Sequence, residues 1–416
     1  MEKKKKRLAI VSSYNELCGN ATYAEVLRKG LEKYYTVDVI PLDVKLLNAT
    51  HKKFIKFGNK HILEISEKLK QYDCVNIQFE AGLFGVFRRD IFRRVKRLVN
   101  ASKNLVFTMH RVDFLQARLE RSSIKFLLKG QLKSFFKYLI SSQKYNYYAK
   151  MYDQILNYLV ESNAKILLHT RRDAQLIKQY KNYNKVYDFP ICFLTPQQVD
   201  AYRLSIDQPK FKRSYGLPSD AVVIGIFGFV SDYKGIDVAI KAMNYLPGNY
   251  YLLIFGGQHP SSIRANEKIA PYYAELTKLI DKMTGSGHGV SFYQKIKFLS
   301  GLDDESFISA LCHCDATILP YIETNQGGSG IASLTLETRA RSVFSYNYSF
   351  MELSRYAKDA FPMATIGNAL EFAQKINALV ESPNHVYAEA LASYHQKYNL
   401  DTNVDFYHQL FEKINP

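Results

Sequence analysis

GIFGFVSDYKGIDVAIKAM, residues Gly225 to Met243, joins an apolar run to an amphipathic helical stretch through a loop that ends in Lys234 and Gly235. The run Ala221 to Phe227 has the length of a buried strand, and Gly235 to Leu246 carries helical periodicity. In a strand-loop-helix unit the loop stands at the carboxyl end of the strand. The free amides of the helix start and the Lys234 ammonium therefore meet at one place, where an anion fits. A short loop with a solvated lysine accounts for these residues equally well.

Working outward, the same grammar recurs in both directions. Toward the amino end, strands are expected at Leu8 to Ser12, Val37 to Pro41, Cys74 to Gln78, Leu105 to Met109 and Ala164 to His169. Helices are expected at Tyr23 to Tyr34 and Ile62 to Leu69, with a long Lys- and Tyr-rich helical stretch from Asp113 to about Leu159. Toward the carboxyl end, strands are expected at Tyr250 to Gly256, Val290 to Tyr293, Ile296 to Leu299 and Ala316 to Pro320, with helices at Pro271 to Met283 and from Asp304. Repeated strand-helix-strand order implies parallel sheets covered by helices on both faces, an α/β fold of two doubly wound, Rossmann-like domains. The joint is expected between Cys192 and Pro218, where Pro196, Pro209 and Gly216 punctuate a stretch without clear periodicity. This gives domains of 1–195 and 196–390, with 391–416 as a helical tail packing back on the first. Ligands of such folds bind at the carboxyl ends of the strands, in the cleft that the two domains face.

Composition narrows the classes. The 416 residues are 47% hydrophobic and 23% charged, a globular profile. No apolar run approaches the ~18 residues of a membrane span, and Leu8 to Val11 is too short for the ~7–15-residue middle of a signal peptide. A cytoplasmic protein is expected. Five cysteines, Cys18, Cys74, Cys192, Cys312 and Cys314, make no disulfide framework in a chain this long, and Cys312-His313-Cys314 lacks a second ligand pair at zinc spacing. No metal is expected. Lys plus Arg exceed Asp plus Glu by 37 to 18 in residues 1–200 but not in 201–416, where they stand at 19 to 21. An anionic partner for the first half alone follows from this asymmetry.

Two further loops carry chemistry. PYIETNQGGSGIASLTLETRA, Pro320 to Ala340, places a glycine-containing loop before a helix that begins near Ser329 or Gly330, where a phosphate can approach free amides; a simple glycine turn reads as well. Cys18-Gly19-Asn20-Ala21 separates the first strand from its helix. Taken in order with Thr108-Met109-His110, Gly228 to Gly235, Phe255 to Gly257 and Gly327 to Gly330, these segments resemble the retaining glycosyltransferases of family 4, over nearly the full length. Asn76 to Gly85, NIQFEAGLFG, resembles a subset of them.

The resemblance implies the GT-B fold and a sugar transferred with retention, without cofactor or metal, from a nucleotide-sugar to an acceptor on the amino-terminal domain. A hexosyltransferase-like enzyme of surface-glycan synthesis, acting on a lipid-linked or cell-surface glycan precursor, is the expected activity. By the same resemblance, His110 and Lys234 serve the reaction. Gly19, Asn20, Lys234, Arg264, Gln326, Gly328, Ser329, Gly330 and Glu337 hold the donor, and Gln78, Glu80 and Arg111 face the acceptor. Two positions depart from the pattern. Phe229 stands where many relatives have the arginine that shares the diphosphate with the lysine, and Ser329 stands where they have the first of two glutamates, with Glu323 nearby but out of register. Glu337 matches the second glutamate, which contacts the ribose. The leaving nucleoside diphosphate develops charge that Lys234 and the helix start could meet.

The basic region has its own pattern. VFRRDIFRRVKRL, Val86 to Leu98, sets six cations among apolar residues, and Lys125, Lys129, Lys133 and Lys137 recur every four residues in Ile124 to Ile140. A helix lying on the anionic inner face of the membrane fits this pattern, as does a helix packed on its own domain with a solvated lysine face. Nucleic acid as the partner finds no zinc-finger spacing and no RNA-binding signature. A sugar-nucleotide epimerase on the same fold is the enzymatic alternative.

Overall fold

The computed structural model describes residues 5–16, 18–113, 131–258, 269–285, 292–322, 328–382 and 385–412, leaving aside the side chains of 134–145 and 385–386. The chain forms two units, Met1–Phe189 with Val404–Pro416, and Pro190–Asn403.

The first unit holds strands β1 (Arg7–Ser12), β2 (Thr36–Pro41), β3 (Cys74–Phe79), β4 (Leu105–Met109), β5 (Lys165–Leu168) and β6 (Val186–Asp188) in the order β2-β1-β3-β4-β5-β6. Every pairing is parallel. Strand order reverses between β1 and β3. The helices Lys52–Leu69 and Arg88–Ala101 bury Ile62, Ile65, Leu69, Ile91, Val95 and Leu98 in one core with Val75, Ile77 and Phe107. The helix Leu400–Glu412 ends in this unit, where Tyr35 Oη meets His408 Nδ1 at 2.8 Å and Asn104 Nδ2 donates to the Phe411 carbonyl at 2.7 Å.

The second unit holds β7 (Val222–Phe227), β8 (Tyr250–Phe255), β9 (Ile296–Leu299), β10 (Ala316–Leu319), β11 (Ser342–Ser345) and β12 (Met363–Ala364) in the order β12-β11-β10-β7-β8-β9. These pairings are parallel as well. The reversal here lies between β7 and β10.

Two readings of the sequence change. Phe292–Lys295 is a helical turn, not the end of a strand, so β9 starts only at Ile296. Pro196 and Pro209 do not punctuate a linker; each sits in the first turn of a helix, Pro196–Leu204 and Gln208–Ser214, where a missing N–H costs nothing. Thr195 and Asp207 cap these helices by accepting the amides of Gln198 and Lys210.

Candidate ligand sites at the two strand-order reversals

In the second unit, β7 ends at Phe227 and the chain turns through Asp232–Lys234 into Gly235, whose φ is 64°. A Cβ at Gly235 would stand 2.0 Å from the Pro320 carbonyl oxygen, so only glycine lets this loop lie against the end of β10. The Ile322 amide donates to the Tyr233 carbonyl at 2.7 Å and holds the two loops together.

Lys234 folds back into this junction and is 4% exposed. Its ammonium donates to the Phe227 carbonyl and to Tyr321 Oη, both at 3.1 Å, and lies 5.0 Å from the Tyr321 ring centroid. An ammonium has three protons to donate, and among the described residues two go to neutral acceptors and none to a carboxylate. Burial holds its pKa below the ordinary 10.5. Ser329 caps the helix Gly330–Glu337 by accepting the Ala332 amide at 3.3 Å. A Cβ on Gly228 would lie 3.2 Å from Ile331 of that helix. The structure thus brings Lys234 and Gly228 together beside Ile331 of that helix, and Tyr321, which the sequence reading did not single out, accepts from the lysine.

The other donor-side residues are placed differently. Gly330 lies against Phe193, whose ring would be 3.2 Å from an added Cβ. Glu337 is 0% exposed, and its carboxylate accepts the amides of Phe193 at 3.0 Å and Leu194 at 2.8 Å. Both of its oxygens fasten the segment that enters this unit. Gly328 is part-buried. Arg264, Gln326 and Glu323 lie outside the described residues. Phe229 is part-buried, and its carbonyl accepts from Ser231 Oγ at 3.4 Å.

In the first unit, Gly19 and Asn20 open the helix Gly19–Leu31 behind β1, and Glu80 follows β3. Asn20 Nδ2 donates to Glu80 Oε2 at 2.6 Å and so bridges the two sides of the reversal. His110 follows β4. Its Nε2 meets Gln78 Oε1 at 2.7 Å, its ring tilts against His169 at 4.9 Å between centroids, and its amide donates to the Phe79 carbonyl. Gln78 is fully buried and donates in turn to Asn76 Oδ1. Asn76 Nδ2 donates to the Val106 carbonyl at 2.9 Å and to Thr108 Oγ1 at 3.0 Å, and Thr108 meets Tyr407 Oη at 2.8 Å. Arg111 pairs with Asp113 at 2.6 Å. Desolvation, then the neighbouring His169, holds the His110 pKa well below 6.5; desolvation lowers His169 to about 4. The sequence did offer a signal for this cluster. Asn76 and Gln78 alternate in an otherwise apolar central strand, where side chains on both faces are normally hydrophobic.

The basic region is less uniform than its sequence. Arg94 is 1% exposed and donates to the carbonyls of Leu47 at 2.8 Å and Phe84 at 2.6 Å, so it is a structural cation and not part of a charged surface. Lys133 is exposed, whereas Lys125 and Lys129 lie outside the described residues, as does the side chain of Lys137. Among the described residues no helix is long and apolar enough to cross a membrane, and no His, Cys, Asp or Glu cluster is arranged to hold a metal.

No protein-family model matches the chain, and no curated protein sequence matches it. Solved structures do. HepE from Anabaena in complex with UDP aligns over 98% of this chain and 100% of its own, with a TM-score of 0.66 and 14% identity. The fold is GT-B. A glycosyltransferase from Rickettsia africae aligns over 99% of both chains (TM-score 0.66, 15% identity), as does sucrose-phosphate synthase from Thermosynechococcus elongatus (TM-score 0.64, 13% identity). The two parallel six-stranded sheets are the GT-B sheets, and both Lys234 and the Asn20–Glu80 bridge stand where a doubly wound sheet reverses its strand order.

Proposed function

We propose that the protein is a glycosyltransferase of the retaining family 4 kind, moving a sugar from a nucleotide-sugar to a lipid-linked or cell-surface glycan precursor without a metal. The observation that carries this reading is Lys234, a buried cation at a sheet reversal whose partners among the described residues are all neutral. A nucleoside diphosphate is the leaving group whose developing charge such a cation stabilises, and the helix that begins behind Ser329 adds amides to the same place. HepE, a protein of the same fold, has been solved with UDP and with UDP-glucose. On this reading the second unit binds the donor, and the first, with Glu80 at its own reversal and His110 after the next strand, receives the acceptor.

Membrane attachment at the inner face is part of the proposal. On the helix Lys52–Leu69, Phe54 is 50% and Phe57 48% exposed, one turn apart, beside exposed Lys52, Lys53 and Lys56. Aromatic rings flanked by lysines suit an anionic lipid surface. Replacing these three lysines with Glu is expected to abolish sedimentation with anionic vesicles, because each lysine contributes up to ~1 kcal/mol there. Equal sedimentation of the folded variant and wild type would remove this helix from the membrane reading.

The donor reading is tested by a thermal-shift panel of nucleoside diphosphates and nucleotide-sugars. A ligand that binds only the folded chain raises its melting temperature by mass action. At least one nucleotide-sugar should do so and should be turned over when a glycan-lipid extract is added. A panel without any shift would defeat the reading.

A further inference from the structure

The polar cluster behind β3 and β4 has a direction. Of its members, only the Val106 carbonyl has a hydrogen-bonding role fixed by its chemistry, since a carbonyl oxygen can only accept. Asn76 must therefore turn its NH2 toward Val106, 2.9 Å away, which leaves Oδ1 as its acceptor. Gln78, bonded to that Oδ1, must present its own NH2 to it, which leaves Gln78 Oε1 facing the ring of His110 at 2.7 Å. A carbonyl oxygen at that distance requires the proton on His110 Nε2 and leaves the lone pair on Nδ1. Among the described residues Nδ1 has no hydrogen-bond partner.

We infer that Asn76 and Gln78 are positioning residues that hold His110 in the Nε2–H tautomer through a relay anchored on the Val106 carbonyl, so that Nδ1 is the atom offered to a ligand. This rests on the glycosyltransferase reading only for the ligand's identity, a hydroxyl of a bound sugar that would donate to Nδ1. The relay explains why two amide side chains, both 0% exposed, occupy a central strand. Buried amides impose a desolvation penalty unless their partners are in place, and a fully satisfied network specifies one arrangement. The neighbouring His169 is fixed independently, since its Nδ1 bonds the Phe189 carbonyl at 3.0 Å.

Nitrogen-15 NMR of the histidine-labelled full chain tests the relay, with the His110 signals assigned from their loss in His110→Gln. At pH 7.5 wild type is expected to show a protonated Nε2 and an unprotonated Nδ1. In Gln78→Leu, which removes the acceptor at Nε2, His110 is expected to become a mixture of both tautomers. An Nδ1–H tautomer in wild type would overturn the relay, whether or not Gln78→Leu folds. So would an unchanged tautomer in a folded Gln78→Leu. Donor turnover is a separate measurement. With the relay intact, His110→Gln is expected to lower kcat by ~10²-fold, the usual worth of a positioned histidine. Unchanged turnover in that variant would defeat the placement of His110 in the reaction while leaving the NMR result standing.

Discussion

The two sheets each reverse their strand order once and spend polarity near the reversal in opposite ways. At β7 and β10 a buried cation has, among the described residues, a carbonyl and a phenol as partners and no carboxylate. Beside the other reversal, on β3 and its neighbour β4, neutral amides and hydroxyls are joined from Val106 to the His110 ring. An interior cation without an anion is an incomplete arrangement that a negatively charged ligand completes. The neutral relay has its partners in place as far as His110 Nε2 and holds one ring still, with Nδ1 left for a ligand. The first arrangement fits a site for charge, and the second fits a site for a neutral, hydroxylated group.

The contrast can be broken most strongly at Gly235. A branched side chain there meets the Pro320 carbonyl and must also adopt a φ of 64°. Overpacking and left-handed strain together should destabilise the second unit by about 4 kcal/mol in Gly235→Val. Hydrogen exchange should show lost protection in β7 and β10 with β3 and β4 unchanged. Protection lost equally in both sheets would mean that this loop is not local to its own reversal.

A smaller effect should appear on the acid side, where His169 of the first unit adds to the like-signed contribution of the buried His395 in the second. His169 is 5% exposed and its pKa falls from 6.5 to about 4 on folding, so the unfolded chain binds a proton that the folded one refuses. Stability is then full above 6.5 and is lost as the pH falls toward 4, by about 3 kcal/mol at the low end. His110 acts in the same direction. His169→Asn, whose amide can still donate to Phe189, should flatten this slope as read by urea unfolding between pH 7 and pH 5. A slope identical to wild type would show that His169 is not its source.

The smallest effect is expected at Lys234 itself. Lys234→Met removes a desolvated charge and two hydrogen bonds, which offset each other, so stability at pH 7 should stay within about 1 kcal/mol of wild type. Since burial lowers the lysine's pKa below 10.5, the folded state releases a proton that the unfolded state keeps, and stability should rise as the pH approaches 10.5. Lys234→Met should lack that rise. A variant that unfolds at neutral pH would make Lys234 a structural residue.

How much of this could be read from the sequence depends on distance along the chain. β1, β4 and β7 stand within a residue of their apolar runs because a buried parallel strand needs nothing else to declare itself. β11 and β12 have four residues and two, too few for a pattern, and were not expected. Lys234 was singled out from its loop, yet the residue that orients it, Tyr321, is 87 positions away. His110 was singled out too, but its relay ends on Tyr407, whose place beside Thr108 is set by the packing of the last helix and by no local signal. Pro196 and Pro209 misled because a proline that opens a helix and one that breaks a loop look alike until the capping Thr195 and Asp207 are weighed with them. Arg94 looked like its five neighbouring cations, and only the carbonyls of Leu47 and Phe84, closed over it, tell it apart.

The central claim is that the buried Lys234 ammonium receives a diphosphate. Calorimetric titration of UDP, and of the other nucleoside diphosphates in turn, into the full chain and into Lys234→Met tests it most directly. The account predicts that at least one binds wild type, and that the folded variant binds the same nucleotide at least ~100-fold more weakly, the loss of about 3 kcal/mol expected for a charged hydrogen bond to phosphate. Equal affinity in wild type and variant would contradict it.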